Sequence, residues 1–283
     1  MKILVIGGTS NLAKYLVKRL RPEHETITMG RSHCDIVYDF KDSSAVPEFP
    51  GSIDSVINTV AHFSDQSPDS FIESFAVNLV ANLKLMNGCI ANRVGHYISV
   101  SSIYAICDLQ HPNYGDFAVS KRFSDEAARL FATRFNLPLT ILRPTQLIGN
   151  PESIHHHQPF YRAIIQKAWR GEDIIIYGSH DPKRNFLHYE DLAEVISRVI
   201  KDRVLGTFVC QYPADTTLAE VAKTAIEVFK SQSQIKFLPD KPDIADNVFA
   251  YDDSLYRLLD WYPQLSLKNT IERECQIFQW EHK

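Results

Sequence analysis

The chain has 283 residues, of which 45% are apolar, and a formal net charge of −4. A chain of this size can bury one or two hydrophobic cores, and its scattered Lys and Arg residues lack the basic stripe that nucleic-acid binding requires. No apolar run approaches a membrane span, and the N-terminus leads straight into a predicted strand without a cleavage-site pattern, so we expect a cytoplasmic protein with no nucleic-acid or membrane partner.

Short apolar runs alternate with helical patterns over the first two thirds of the chain. Such alternation predicts an α/β fold with a parallel sheet covered by helices on both faces. After Pro144 the pattern predicts an excursion into a smaller second domain, with a return to the sheet at about 186–212. The predicted strands are 2–6, 26–29, 54–60, 96–101, 138–142, 173–178 and 234–239, and the predicted helices are 11–20, 70–92, 116–135, 159–170, 217–230 and 267–281.

A glycine-rich turn joins the first predicted strand to the first predicted helix. A strand, a turn and a helix in this order form the setting of a dinucleotide-binding fingerprint, in which the opening N–H groups of the helix face a pyrophosphate. Ser10 and Ala13 stand at two positions where glycine is usual; the Ser10 hydroxyl can still contact phosphate, and Ala13 can still pack against the strand. The residues predicted to bind the dinucleotide here are Gly7, Thr9, Ser10, Asn11 and Leu12.

The residues after the second predicted strand indicate which dinucleotide is bound. NAD-specific proteins present an acidic residue to the ribose at this point, whereas this chain has Gly30-Arg31-Ser32. A guanidinium fork at Arg31 and a hydroxyl at Ser32 suit a 2′-phosphate, so the sequence favours NADP(H) over NAD, with a solvated loop cation as the alternative for Arg31. Asp39 and Phe40 are candidates to flank the adenine, or Asp39 caps a turn.

The segment Phe117-Ala118-Val119-Ser120-Lys121 has the spacing of a Tyr-x-x-x-Lys catalytic pair, but phenylalanine replaces the tyrosine. Residues four apart share one helix face, where a lysine ammonium lowers the pKa of a neighbouring phenol. A phenyl ring has no proton to donate. Three explanations stay open: a Tyr-to-Phe change that permits binding without reaction, a substitute phenol from Tyr104 or Tyr114, or a protein that binds its ligands without catalysis.

Cysteine and histidine residues give no metal prediction. Three consecutive histidines, His155-His156-His157, point in different directions and have no partner at ligand spacing, which favours a solvated loop. The single cysteines form no Cys-x-x-Cys pair and are predicted to be small buried thiols; they are Cys34, Cys89, Cys107, Cys210 and Cys275.

Together these motifs resemble the extended short-chain dehydrogenase/reductases, the NAD(P)-dependent epimerase/dehydratase family that acts mainly on nucleotide sugars. The resemblance covers almost the whole chain. Its more specific marks are the segment from Arg184 to Ala193 and the segment Leu258-Leu259-Asp260-Trp261-Tyr262-Pro263. It also includes residues 54–61, Asn78, residues 97–104, Leu142-Arg143-Pro144 and Tyr177-Gly178.

The resemblance implies a Rossmann-like doubly wound parallel sheet with a smaller C-terminal α/β substrate-binding domain. The dinucleotide-binding domain would comprise residues 1–147 and 186–212, and the substrate-binding domain residues 148–185 and 213–283. It also implies a homodimer through helices 70–92 and 116–135, and chemistry in the cleft between the domains.

The resemblance further assigns roles to individual residues. Lys121 would bond the nicotinamide ribose. Ser101, with Ser102 as the alternative, would polarise the substrate oxygen, unless the serine pairs with backbone instead. The cofactor would also border Val60, Ala61 and Pro144, and the substrate would contact Arg184 through its diphosphate, together with His62, Phe63 and Tyr104.

The sequence thus predicts an NADP(H)-dependent ketoreductase that acts on a nucleotide-diphosphate sugar by hydride transfer, with Phe117 at the tyrosine position. The preference for a reductase rests on Gly30-Arg31-Ser32, because a reductase exchanges its cofactor with an NADPH pool. An NAD-dependent epimerase or dehydratase and a non-catalytic NADP-binding sensor are the alternatives.

Overall fold

The computed structural model describes residues 1–41, 47–65, 67–149 and 158–280, with only the backbone described for 277–280. The triple histidine therefore lies outside the described residues. The chain forms two compact units. The larger unit comprises Met1–Pro144, Leu192–Cys210 and Asp253–Trp261, and the smaller comprises Thr145–Asp191, Gln211–Asp252 and Tyr262–Lys283.

These bounds differ from the expected domains at four places. Residues 145–147 and 186–191 lie in the smaller unit, residues 253–261 lie in the larger one, and residues 211–212 lie in the smaller one. The first two differences arise because residues 146–148 pair with residues 186–188 in a separate two-stranded sheet. The third arises because the short helix Ser254–Leu258 packs against the strand at 206–210.

Thirteen strands are found among the described residues. In chain order they are β1 (Lys2–Ile6), β2 (Glu25–Gly30), β3 (Ile36–Val37), β4 (Ser55–Asn58), β5 (His96–Val100), β6 (Leu139–Pro144), β7 (Gln146–Ile148), β8 (Ile174–Tyr177), β9 (Lys183–Arg184), β10 (Phe186–His188), β11 (Gly206–Cys210), β12 (Thr216–Thr217) and β13 (Ile235–Leu238).

The helices lie between these strands. They are α1 (Asn11–Leu20), α2 (Pro68–Phe75), α3 (Ala81–Ala91), α4 (Asp116–Phe135), α5 (Pro159–Arg170), α6 (Tyr189–Asp202), α7 (Leu218–Phe229), α8 (Ser254–Leu258) and α9 (Leu267–Trp280). A π-helical turn, Ala76–Val80, joins α2 to α3, and a 3₁₀ turn, Ile103–Ile106, follows β5. The single helix predicted at 70–92 is therefore three consecutive pieces.

A seven-stranded sheet forms the centre of the larger unit. Its strand order is β11-β6-β5-β4-β1-β2-β3, and every neighbouring pair is parallel. The order reverses direction between β1 and β4, and in sheets of this kind ligands bind at the carboxyl ends of the strands beside that point. The predicted parallel α/β sheet is confirmed.

Local sequence explains where these elements begin and end. The inner side of α1 is apolar as predicted, and Leu12, Leu16 and Leu20 are buried. The strand predicted to reach residue 60 ends at Asn58, because the Asn58 side chain accepts the Val60 N–H at 3.0 Å and takes that group out of the strand pairing.

The smaller unit has its own hydrophobic core. It contains three two-stranded sheets, β7/β10, β9/β12 and β8/β13, and its core joins apolar residues of α5, α7 and α9, among them Ile165, Val221 and Ile271. The predicted return of residues 186–212 to the main sheet is correct only for β11, since β10 pairs with β7. No helix in the described ranges is both long and apolar enough to cross a membrane.

Candidate cofactor site and active site

The turn after β1 requires glycine for steric reasons. Gly7 has a φ of +81°, and a Cβ atom there would lie 2.6 Å from Thr59 Oγ1. The N–H groups of Gly7 and Gly8 both donate to the Met29 carbonyl, at 2.8 and 2.9 Å. These bonds fix the turn against β2, so that α1 starts at the end of the central strands with the positive end of its dipole outward.

The Ser10 hydroxyl is used inside this turn. It accepts the Ala13 N–H at 3.1 Å as the N-cap of α1, and it lies 2.8 Å from Thr59 Oγ1. Thr59 in turn donates to the Ile6 carbonyl at 2.8 Å, which leaves the Ser10 proton directed to Thr59. The Ser10 hydroxyl therefore caps α1, and its contact with a phosphate stays a prediction.

The other predicted residues of the turn differ in exposure. Thr9 is exposed, Asn11 is half-buried, and the Leu12 side chain is buried in the core. The group of Leu12 that is available to a ligand is its backbone N–H, in the first turn of α1. The turn thus offers backbone N–H groups, and the Thr9 side chain also remains exposed.

The loop after β2 leaves Arg31 and Ser32 exposed beside the glycine turn. A Cβ atom on Gly30 would lie 3.3 Å from the Gly8 nitrogen and 3.7 Å from the Thr9 nitrogen, so the end of β2 abuts the turn. Cys34 is only half-buried here, which corrects the prediction that all five cysteines are buried.

Asp39 and Phe40, the candidates to flank the adenine, lie in two different settings. The Asp39 carboxylate accepts the Lys41 N–H at 3.0 Å, which is the turn-capping alternative. The Phe40 side chain is buried in the core of the larger unit, with its ring 5.1 Å from that of Tyr38. Only backbone groups of Phe40 remain for a ligand.

Lys121 is the charged group at the centre of the site. It lies on α4 and is 4% exposed, and its Nζ donates to the carbonyls of Val60 and Val100, at 3.2 and 3.3 Å. Val100 ends β5, and Val60 lies two residues after β4. Burial lowers the pKa of Lys121 to about 8, against the opposing effect of the nearby Asp125 carboxylate.

Phe117 lies one helical turn before Lys121 and has aromatic neighbours on two sides. Its ring stacks on Phe63 with centroids 4.4 Å apart and an interplanar angle of 17°. The Tyr104 ring meets it edge-on at 6.4 Å, and the Lys121 ammonium lies 6.0 Å from its centroid. The structure therefore brings Phe117, Lys121, Phe63 and Tyr104 together, as the resemblance implies.

The two candidate serines differ sharply. Ser102 accepts the Tyr104 N–H at 3.2 Å and caps the 3₁₀ turn. Ser101 Oγ is buried and has no hydrogen-bond partner among the described residues. It lies near enough to Asp125 to favour the charged carboxylate, but without the geometry of a hydrogen bond. Of the two hydroxyls, Ser101 is the one left for a ligand.

Asp125 balances the charge behind Lys121. Burial raises the pKa of this carboxyl, while Arg143, whose Nε lies 2.8 Å from Asp125 Oδ2, lowers it. Asp125 also favours the charged form of Lys121, one helical turn away. Pro144, a predicted neighbour of the cofactor, is buried at the end of β6 next to this pair.

A buried amide network supports the strand ends, and the sequence did not reveal its full extent. Asn82 Oδ1 accepts from both Asn58 Nδ2 at 2.9 Å and the Tyr97 hydroxyl at 2.7 Å, and Asn82 Nδ2 donates to Ser124. In parallel, Asn78 Nδ2 donates to Ser120 at 3.0 Å. The available signal was the matched four-residue spacing of Asn78 with Asn82 and of Ser120 with Ser124.

Asn78 also fixes the backbone after β4. Its Oδ1 accepts the His62 N–H at 2.8 Å, and its Nδ2 donates to the His62 carbonyl at 3.0 Å. Asn78 lies in the π-helical turn, a feature often found at functional sites. The His62 ring, predicted to border the substrate, lies 3.1 Å from Ser70 Oγ and 3.5 Å from Glu73, and Ala61 is exposed.

Arg184, the residue expected to contact the substrate diphosphate, lies in the smaller unit. It is 6% exposed, and its Nη1 donates to the carbonyls of Lys183 and Ala245, at 2.7 and 2.9 Å. These bonds give Arg184 a structural role that joins β9 to the segment at 245. No group of three metal-binding side chains occurs in the described ranges.

The sheet, the glycine turn and the helix-borne lysine define a Rossmann-type α/β protein of the dinucleotide-binding class. A nicotinamide dinucleotide fits the residues present, since the turn at Gly7 and Gly8 is held open by glycine and the buried Ser101 hydroxyl has no hydrogen-bond partner within the described ranges. The chain belongs to the NAD dependent epimerase/dehydratase family, whose model matches residues 3–209. The resemblance to extended short-chain dehydrogenase/reductases is confirmed.

Relatives of this chain include nucleotide-sugar enzymes. UDP-glucuronic acid decarboxylase 2 of Arabidopsis thaliana is 24% identical over 313 residues, which cover 99% of this chain and 68% of the relative. UDP-glucose 4-epimerase of Thermotoga maritima with UDP-glucose superimposes with a TM-score of 0.80 at 18% identity, over 100% of both chains. RMD of Pseudomonas aeruginosa complexed with NADPH gives 0.82 at 15% identity, over 99% of both. At such identities the structural likeness establishes the fold.

Proposed function

We propose that this protein binds NADP(H) and a nucleotide-diphosphate sugar as a ketoreductase, with Phe117 in place of the usual tyrosine. In this form, binding is retained and turnover is slow. The observation that carries the proposal is the Lys121 ammonium, buried at the ends of two central strands and one helical turn from a ring that has no hydroxyl.

The enclosure of Lys121 supports a binding role. A buried ammonium with a lowered pKa is costly to stability, and such groups are concentrated at functional sites. Two of its N–H groups are directed to Val60 and Val100, which orients the ammonium in a fixed direction toward a ribose hydroxyl. Ser101 would then polarise the substrate oxygen with its buried hydroxyl.

A bound nicotinamide supplies the hydride for reduction of a sugar ketone. The protein's part is to orient the reactants and to donate a proton to the developing alkoxide. Phe117 cannot donate, and a missing general acid lowers a rate by roughly 10²–10⁴-fold. Tyr104 is the phenol nearest to Phe117 by ring contact and is the candidate for any remaining proton donation.

The preference for NADP(H) rests on the loop after β2. Gly30-Arg31-Ser32 contains no carboxylate, and both Arg31 and Ser32 are exposed next to the glycine turn. A guanidinium and a hydroxyl suit a 2′-phosphate. RMD, a structural neighbour, is complexed with NADPH, whereas other neighbours are complexed with NAD, so the proposed preference depends on this loop.

We further propose a homodimer through α2, α3 and α4, the helices predicted at 70–92 and 116–135. Large apolar side chains are exposed there, with Phe71 at 49%, Phe123 at 47% and Leu130 at 68%. An apolar face of this kind on a chain of this size is typical of a protein interface. Sedimentation of the native chain and of a Leu130→Glu variant tests this, and a monomeric native chain contradicts it. The cytoplasmic location stays a prediction.

Two alternatives have support of their own. An NAD-dependent epimerase is favoured by neighbours such as the UDP-glucose 4-epimerase of Thermotoga maritima. A non-catalytic binding protein is favoured by Phe117 itself. The buried Lys121 argues against a complete loss of ligand binding, because a buried ammonium that binds no ligand only destabilises the fold.

Binding and turnover are measured separately to test the proposal. Binding of NADPH and NADH is followed by nicotinamide fluorescence, and turnover on 4-keto nucleotide sugars by loss of NADPH absorbance. The native chain is compared with Phe117→Tyr, which supplies the phenol, and with Phe135→Tyr, which adds the same hydroxyl at the exposed end of the same helix.

We expect both the native chain and Phe117→Tyr to bind NADPH, and Phe117→Tyr to turn over about 10²-fold faster or more. Phe135→Tyr should match the native chain. Tight binding with no turnover in any form supports the non-catalytic alternative. Native turnover equal to that of Phe117→Tyr contradicts the proposed effect of Phe117.

A further inference from the structure

The loop between β2 and β3 is closed by hydrogen bonds between Thr28 and Asp35. Asp35 Oδ2 accepts from the Thr28 backbone N–H and from Thr28 Oγ1, both at 2.8 Å. The Asp35 N–H returns a bond to Thr28 Oγ1 at 3.1 Å. Three hydrogen bonds therefore join the last residue of the loop to the middle of β2.

The sheet topology explains why Thr28 is free to make these bonds. On its outer edge β2 pairs with β3 only at Met29 and Gly30, so the Thr28 N–H lies before the first pair on that edge. The Asp35 carboxylate takes the place of a missing strand partner. These bonds to Thr28 also lower the pKa of Asp35, so the carboxylate stays charged and anchored.

Asp35 is the first carboxylate after β2 in the sequence. A carboxylate near the end of the second strand is the group that NAD-binding proteins offer to the ribose hydroxyls, and its charge repels a 2′-phosphate. Because Asp35 is directed back to Thr28, the ribose end of the site is left to Arg31 and Ser32. Both of these are exposed on the same loop.

Cys34 holds this loop against the glycine turn. Its Sγ would lie 2.8 Å from a Cβ atom placed on either Gly8 or Gly30, so the thiol packs directly on both glycines. Between Ser32 and Cys34, His33 adopts a positive φ of 51°, which is unusual for a residue with a side chain. The Cys34 contacts thus place the loop directly beside the turn.

We propose that the Thr28–Asp35 hydrogen bonds make the adenosine end of the site selective for a 2′-phosphorylated dinucleotide. They do so by withholding the Asp35 carboxylate from the ribose while Arg31 and Ser32 take the phosphate. Thr28 and Asp35 are positioning residues in this account. The inference rests on the proposed preference for NADP(H).

The test compares the dissociation constants of NADPH and NADH for a small set of variants. Thr28→Val removes the hydroxyl and two of the three bonds, and should lower the selectivity for NADPH over NADH by about tenfold, the effect of one charge-assisted hydrogen bond. Adding Asp35→Asn to Thr28→Val should restore most of that selectivity, since the released side chain then has no charge. Thr28→Ser, which keeps the hydroxyl, should behave like the native chain.

The restoration by Asp35→Asn separates this proposal from a structural role for the loop. If Thr28→Val weakens both dinucleotides equally, or if Asp35→Asn fails to restore selectivity, the proposal is overturned. Circular dichroism and thermal unfolding of each variant establish that it is folded.

Arg31→Ala tests the proposed function independently. A native preference for NADPH that Arg31→Ala removes, combined with unchanged selectivity in Thr28→Val, retains the NADP(H) assignment and overturns only the inference. A native chain that binds NADH better, or neither dinucleotide, overturns both.

Discussion

Replacement of Lys121 by methionine is expected to stabilise the cofactor-free protein near neutral pH. Burial lowers the pKa of Lys121 from 10.5 to about 8, and at about 1.4 kcal/mol per pKa unit the buried charge costs about 3 kcal/mol. Methionine keeps the aliphatic stem but leaves the Val60 and Val100 carbonyls without their donor, which lowers the stability of the variant by about 1–2 kcal/mol. The net gain is about 1–2 kcal/mol.

The pH dependence of this gain is specific to the buried amine. Between about pH 8 and 10.5 the unfolded chain still holds the Lys121 proton and the folded chain does not, so the native free energy of unfolding rises with pH there. The advantage of Lys121→Met should therefore be full below about pH 8 and disappear toward pH 10.5. Asp125 keeps its partner Arg143 in the variant, so no second charge is left unpaired.

Urea unfolding of the cofactor-free protein, followed by far-UV circular dichroism at about pH 7 and about pH 10, measures both effects. Lys223→Met, at an exposed position of α7, is the matched control and should change neither. NADPH binding should be lost in Lys121→Met. A variant that is less stable than the native chain at about pH 7, or an advantage that is equal at both pH values, would refute the reasoning.

Three further predictions concern buried polar groups. Asn82→Ala should destabilise the chain by about 3 kcal/mol in the same assay, because it leaves partners such as the Tyr97 hydroxyl unsatisfied; a loss below about 1 kcal/mol contradicts the network. Ser102→Ala should lower the free energy of unfolding by about 1 kcal/mol, because the cap is lost. Ser101→Ala should leave the free energy of unfolding nearly unchanged and should reduce turnover of the Phe117→Tyr form. Equal losses of stability in the two variants would contradict this distinction. Burial raises the pKa of Glu274 to about 8, so between about pH 4.5 and 8 the folded chain holds a proton that the unfolded chain has lost. Native stability should therefore fall by up to several kcal/mol as pH rises through this range, and Glu274→Gln should remove that fall. Parallel pH profiles of stability for the two chains would contradict this.

The fold was predictable because its signals are local. The alternation of apolar runs predicted β1, β2, β4, β5 and β6. The spacing of apolar residues predicted α1 and α4 with the same bounds as in the structure, 11–20 and 116–135. The short strands were not predictable. β3, β7, β9 and β12 have two or three residues each, and such segments become strands only through the partner that pairs with them.

The site was predictable in its members more than in their roles. Phe117, Lys121, Phe63 and Tyr104 lie together as expected. Ser10, Ser102 and Arg184 each bond nearby backbone groups, which for Ser102 is the backbone-pairing alternative, while the ligand contacts expected of Ser10 and Arg184 stay predictions. A polar side chain pairs with whatever group the fold brings within reach, and residue type alone does not identify that group.

The sequence by itself determined the order of strands and helices, the glycine turn at Gly7 and the absence of a hydroxyl at Phe117, since these depend on the identity of single residues and their spacing. Only the tertiary structure decided which buried groups are paired. Ser101 and Ser102 are adjacent, yet Ser101 Oγ has no hydrogen-bond partner in the part of the chain that the structure describes, and Ser102 caps a turn. Asp35 likewise faces Thr28 because β2 and β3 pair over only two residues. Whether such a group is buried, and which strand edge lies open beside it, depends on segments distant in the chain, so its pairing is decided only on folding.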